Sequence, residues 1–298
     1  MFPFLRLPIT LIALGAVLTG GIFLYANDHL GPLDEFFRAH EAFYTDVLPD
    51  AVLSSPATTS PTGAPQATVP ATATTSVPIL VYHIVRPSYP TDTRAVKALA
   101  HTPEVFDAQM KYLADAGYHV VSFADLERHL TDGAPLPKNP IIISFDDGWS
   151  DQFTYAFPIL KKYHYTATFF VFINPIGRRG FVSWSDLREM RDAGMTIGSH
   201  SKSHPFLTKI TDPTVLWSEI DDSKKTLEKN LGITVNEFAY PFGQYNADIV
   251  ALVKKAGYTS ARGDYYRGAG QTMDRLYGLS ALNAPTTTEL FARKFPAR

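Results

Sequence analysis

From residue 79 onward, short runs of β-branched and aromatic residues alternate with segments of helical periodicity, and this alternation leaves few folds open. Strands are predicted at 79–84, 119–122, 140–145, 167–173, 195–199, 237–240 and 258–261, with an eighth near Leu279. Between them, Phe106, Met110 and Leu113 share one helical face ahead of Gly117, and Leu216, Ile220, Leu227 and Leu231 recur in the segment after Pro213. Strands this apolar need cover on both faces, and each return to a parallel neighbour needs a crossover helix. The pattern predicts an α/β domain with a parallel sheet wrapped by helices, either a closed barrel or an open doubly wound sheet.

The chain ahead of that domain has three different compositions. Residues 7–26 are uncharged and apolar, about the 20 residues a helix needs to cross a bilayer. Arg6 precedes them and Asp28, Asp34 and Glu35 follow, so residues 1–27 read as a transmembrane anchor that leaves the remainder extracytoplasmic. A cleavable signal segment is the rival reading, disfavoured because Leu24-Tyr25-Ala26 is a poor small-x-small site; it too exports the chain. In residues 28–50, Leu33, Phe36, Phe37, His40 and Phe43 fall at helical spacing, which predicts a short juxtamembrane helix. Residues 51–77, rich in Pro, Ser, Thr and Ala, cannot bury a core and read as a flexible linker. The folded domain is therefore 78–298.

A formal net charge of −2 with no basic cluster argues against nucleic acid as a partner. Cysteine is absent, so any metal falls to His, Asp and Glu.

In parallel α/β folds the chemistry gathers where strands end and loops begin. His83 ends the first predicted strand, Asp146 and Asp147 the third, His200 the fifth, and Pro241-Phe242-Gly243 the sixth. In the run IIISFDDGWSD (141–151) a strand suited to burial ends in two adjacent carboxylates, which are costly to bury unless paired. Gly148 permits the bend that lets both reach one pocket. HSKSH (200–204) places two imidazoles four residues apart, and Pro205 predicts a loop rather than a helix at His204. Two histidines and one carboxylate form a three-ligand set with positions open to water and substrate. Read separately, the pieces have bland explanations: a DDG turn capping the next helix, and two histidines in a polar loop.

Together, SFDDG (144–148), HSKSH (200–204) and FAYPFG (238–243) resemble, in order and spacing, the first three motifs of the polysaccharide deacetylases, the NodB-like carbohydrate esterase family four. The likeness covers about residues 77–298 and is nearest to the biofilm poly-N-acetylglucosamine branch. It implies a distorted (β/α) barrel of seven or eight strands. It implies Asp146 as general base and Asp147, His200 and His204 as ligands of a divalent metal, zinc first, with cobalt, nickel or manganese as alternatives. The implied reaction removes acetyl groups from N-acetylglucosamine units of a polysaccharide, with the backbone N–H of Phe242 helping to hold the oxyanion.

The chain departs from the family pattern at three places. Ala239 stands where the third motif often carries an arginine that holds the base, and Phe242 replaces a usual tyrosine. No histidine follows His204, so the family's final Leu-x-x-His, source of the general acid, has no counterpart. His83 in LVYHI is the candidate acid, because a Tyr-His occupies this place in the biofilm branch; a histidine bonded to backbone is its plain alternative. Trp149 reads as packing or as a sugar-stacking ring, Ser183 or Ser185 as a helix cap near Trp184 and Asp186, and Arg262, after the seventh strand, as steadying a carboxylate at the mouth or, by default, as solvated. A non-catalytic glycan-binding module and a two-carboxylate glycoside hydrolase compete with the deacetylase reading. The second fits poorly, since glycosidase carboxylates stand at least about 5 Å apart across the bond.

Overall fold

The computed structural model describes residues 75–263 and 270–297, which belong to one compact unit, Thr59–Arg298. The predicted anchor (1–27), juxtamembrane helix (28–50) and all but the end of the linker (51–77) lie outside the described residues. Among the described residues no helix is long and apolar enough to cross a membrane.

The chain enters through β1 (Thr75–Ser76) and β2 (Ile79–Tyr82), followed by β3 (Ile84–Val85), α1 (Arg94–Leu99), β4 (Ala100–His101), α2 (Pro103–Asp115), β5 (His119–Val120) and α3 (Phe123–Asp132). Next come β6 (Pro140–Phe145), a π-helical turn (Gln152–Ala156) leading into α4 (Phe157–Lys162), β7 (Thr168–Val171), α5 (Trp184–Asp192), β8 (Thr196–Ser199) and α6 (Pro213–Leu231). The C-terminal part holds β9 (Glu237–Ala239), α7 (Ala247–Lys255), β10 (Ser260–Gly263), β11 (Gly270–Gln271), β12 (Leu279–Ser280), β13 (Leu282–Asn283) and α8 (Thr288–Lys294).

The main sheet runs β12-β10-β9-β8-β7-β6-β2-β13, and every pairing along it is parallel. Its two ends are one stretch of chain: Leu279–Ser280 pairs with β10, and Leu282–Asn283, past Ala281, pairs with β2. This seam brings the sheet to near closure as a barrel, the closed alternative of the two that alternation allowed. The strand predicted near Leu279 is this seam, whereas β5 pairs only with the start of β6, off the ring.

Period-two alternation divides the strand side chains between two layers. Leu80, Tyr82, Ile143, Phe145, Phe169 and Phe238 join the layer that also holds Phe106, Leu187, Ile220 and Phe291 from the surrounding helices. Ile79, Val81, Ile142, Phe170, Ala239 and Leu279 form the barrel interior, closed at one end by Phe123 and Leu126 of α3. Local chemistry sets the helix limits. Thr102 caps α2 with Pro103 in its first turn, and capping boxes start α3 (Ser122 with Asp125) and α5 (Ser183 with Asp186). The α5 box confirms the cap reading of Ser183.

Gly198 of β8 faces the interior beside Phe170, where an added Cβ would lie 2.6 Å from two ring atoms. Phe170 is fully buried and packs edge-on against Phe123, so it has little room to retreat. Gly198→Ala is therefore expected to destabilise the fold by about 1–3 kcal/mol. Urea unfolding measures it, and an unchanged midpoint would refute this account of the interior.

Candidate metal centre

All the sequence-predicted site residues converge at one end of the barrel. Asp147, His200 and His204 are buried, and one potential ligand atom from each lies within 4.8 Å of the others. His204 Nε2 stands 3.4 Å and His200 Nε2 3.8 Å from Asp147 Oδ1. The two Nε2 atoms are 3.1 Å apart.

The second contacts of these ligands fix which atoms face inward. His200 Nδ1 lies 2.7 Å from the Ala239 carbonyl, an acceptor only, so Nδ1 carries the proton and Nε2 presents its lone pair. Trp149 Nε1 donates to Asp147 Oδ2 at 3.0 Å and leaves Oδ1 directed at the imidazoles. Trp149 is itself buried, stacked on Phe181 at 4.5 Å between centroids. It packs beneath the loop and is not a sugar-stacking surface.

Burial, with the Asp146 charge second, pushes the Asp147 carboxyl well above the usual carboxylate range, while burial pulls the His200 imidazole down. Without a cation both groups are thus favoured uncharged. The stability that Asp147 contributes is present at low pH and lost as pH rises; that of His200 is present above its ordinary pKa and lost as pH falls. A divalent cation supplies what this set of one carboxylate oxygen and two imidazole nitrogens lacks, and the donor set suits zinc and its neighbours.

The backbone here adopts conformations that side chains rarely take. Asp147 (φ 76°), Ser201 (φ 71°), His204 (φ 61°) and Phe242 (φ 59°) are four of the six non-glycine residues with positive φ among the described residues. Gly148 shares the conformation at φ 76°, and a Cβ there would come within 2.9 Å of Val171 Cγ1. HSKSH is a loop, held inside by the Ser201 hydroxyl accepting from the His204 N–H at 3.0 Å.

Asp146 sits beside the cluster with a partner of its own. Arg262, on β10, donates through a terminal guanidinium nitrogen to Asp146 Oδ1, and both side chains are fully buried. Of the two readings of Arg262, the one that has it steady a carboxylate holds, and the solvated default is overturned. Its register supplies the reason: Arg262 pairs directly across from Ala239, the position where the family pattern often carries an arginine. The guanidinium comes instead from the adjacent strand, and the small Ala239 leaves it space. The hint in the sequence was an arginine at the end of an apolar strand, but its register could not be read from there.

Asp146 Oδ2 stands 3.9 Å from both His83 Nε2 and His200 Nε2. Buried Gln152 ties the two strand ends together, its amide donating to the carbonyls of His83 (2.8 Å) and Asp146 (2.5 Å). Phe242 lies against the outer ligand, its ring 4.8 Å from the His204 ring and stacked on Phe206 at 3.7 Å.

A near-closed parallel barrel with a buried Asp-His-His cluster at the C-terminal ends of its strands defines a class, the α/β barrels with a candidate metal site at the strand ends. The chain belongs to the polysaccharide deacetylase family. The family's sequence model, described as polysaccharide deacetylase, matches residues 133–261. A solved polysaccharide deacetylase from Bacillus cereus is 30% identical with a TM-score of 0.64, over 74% of this chain and 69% of that one. The deacetylase PplD of Streptococcus pyogenes, solved with acetate, is 26% identical with a TM-score of 0.67, over 76% of this chain and 97% of that one. The poly-beta-1,6-N-acetyl-D-glucosamine N-deacetylase of Staphylococcus aureus is 28% identical over 183 residues, 55% of this chain. The match spans about three fifths of the length of the curated relatives.

Two outcomes test this geometry. Arg262→Met leaves the Asp146 carboxylate buried without its cation and is expected to cost about 3–5 kcal/mol in denaturant unfolding. A loss near zero would show that the ion pair does not hold the native site. Zinc at 100 times its dissociation constant should stabilise the chain by about 2.7 kcal/mol near neutral pH. That gain should shrink as pH falls and the ligands take up protons. Thermal melts with no response to zinc, cobalt, nickel or manganese would exclude a metal centre.

Proposed function

We propose that this chain is a metal-dependent N-deacetylase that hydrolyses acetamido groups on N-acetylglucosamine units of an extracytoplasmic polysaccharide, an exopolysaccharide or peptidoglycan. The observation that carries the reading is the division of labour between adjacent carboxylates: Asp147 faces two imidazoles, while Asp146 is held by Arg262 with one oxygen turned toward the same space. The named activity of the Staphylococcus aureus relative supports the polymer class. Placement outside the cytoplasm rests on the apolar segment and charge asymmetry of residues 1–35.

Asp147, His200 and His204 would hold the cation. When bound, it polarises the amide carbonyl and makes water a stronger acid. Asp146 Oδ2 takes the proton as water adds to the acetyl carbon, and Arg262 keeps that carboxylate ionised and aimed. The N–H of Phe242, in the loop after β9, helps to stabilise the oxyanion. As the C–N bond breaks, His83, across from Asp146, gives a proton to the departing nitrogen, and acetate and a free amine result.

Chelation by EDTA is expected to abolish acetate release from N-acetylglucosamine oligomers, with recovery on adding zinc or cobalt. Asp146→Asn should lower turnover by about 10²–10⁴-fold while leaving metal content intact. His83→Ala should reduce turnover and remove the alkaline limb of the pH profile, since a general acid must hold its proton. Undiminished release in EDTA would defeat the metal mechanism. If metal-loaded protein released no acetate from any polymer, a glycan-binding module would replace the enzyme reading.

A further inference from the structure

One buried carboxylate next to the metal-binding loop has no part in the chemistry above. Glu219 lies on α6, 7% exposed, and its acceptors are all directed at HSKSH. Its Oε2 accepts the backbone N–H groups of Lys202 (3.0 Å) and Ser203 (2.8 Å), and its Oε1 accepts the Ser203 hydroxyl at 2.5 Å. All three donors come from the stretch between the two imidazoles. That stretch is flanked by Ser201 and His204, both in the left-handed region that non-glycine residues enter only under constraint.

The remaining ties are not equivalent. Asn174, after β7, donates its N–H to the Lys202 carbonyl at 3.0 Å, and the Ser201 hydroxyl closes the turn locally. The Lys202 side chain also reaches α6, bonding Ser218 and Asp222 at 2.9 Å each, but this contact is largely solvated. Glu219 is thus the group that satisfies two N–H donors and a hydroxyl at once. Without it, the turn can meet those donors only by opening toward water.

We infer that Glu219 is a positioning residue for the metal-binding loop: by gathering the Lys202 and Ser203 donors onto one carboxylate, it holds the Nε2 atoms of His200 and His204 converged before a cation arrives. This rests on the metal reading of Asp147, His200 and His204. Its consequence falls on affinity for the ion, since a loop that must be ordered on binding loses part of the binding free energy to that ordering.

The test is zinc affinity, measured on the full chain by competition with a chromophoric chelator, for wild type, Glu219→Ala, Glu219→Gln, Ser203→Ala and Lys202→Ala. Far-UV circular dichroism and melts of the zinc-free proteins check folding. Glu219→Ala should bind zinc about 10–100-fold more weakly. Glu219→Gln should stay close to wild type, because its amide oxygen accepts both N–H groups and its NH₂ can donate to Ser203. Ser203→Ala should fall between, and Lys202→Ala should match wild type. A folded Glu219→Ala with wild-type affinity, or Lys202→Ala weakened as much, overturns the assignment. Should Glu219→Ala fail to fold, Ser203→Ala decides: weakened zinc binding supports the proposal and unchanged binding overturns it. A wild-type chain that takes up no zinc sinks the metal reading itself, and the role of Glu219 with it.

Discussion

The structure depends most on the buried contact between Asp146 and Arg262. Two neighbouring carboxylates enclosed together would each favour the protonated form, and neither could then serve as a base at neutral pH. Arg262 breaks that symmetry by giving one of them a permanent cation at zero exposure. Asp147, left to burial and to its neighbour's charge, becomes the group that gains most from a second cation. A buried pair of this kind is weak support for stability in general, but here it gives two adjacent acids different surroundings.

Around that contact, the strand ends are fixed by groups with no other task. Trp149 selects the oxygen that Asp147 offers, the Ala239 carbonyl selects the nitrogen that His200 offers, and Gln152 bridges the ends of β2 and β6. Each restricts one side chain or strand end to one orientation, in the same region where Asp147, His204 and Phe242 adopt positive φ. The rim of the barrel, although made of loops, is thus tied by buried side-chain hydrogen bonds.

Much of this could be read from the sequence where it was local. Alternation gave the parallel sheet, and DDG and HSKSH carried their ligands within a few residues of each other, so Asp146, Asp147, His200 and His204 were evident as a set. What stayed hidden depends on register between distant strands. Arg262 is 116 residues from the carboxylate it holds, and only the pairing of β9 with β10 reveals that it stands opposite Ala239. Glu219 is hidden for the same kind of reason, being one acidic residue among several on a long helix until the packing of α6 is known. The last strand was misleading in another way: the run near Leu279 reads as one more stave of the barrel, while Ala281 divides it between two neighbours.

The way the chain enters the domain has its own bearing on access. β1 pairs antiparallel with β11, and the Gln271 side chain, fully buried, bonds the Val77 carbonyl just ahead of β2. This fastening is at the start of the strands, by the floor that Phe123 and Leu126 close, and the two imidazoles lie at their other end. The described polypeptide therefore comes in, at Thr75, at the end of the barrel opposite the one that holds the buried Asp-His-His cluster.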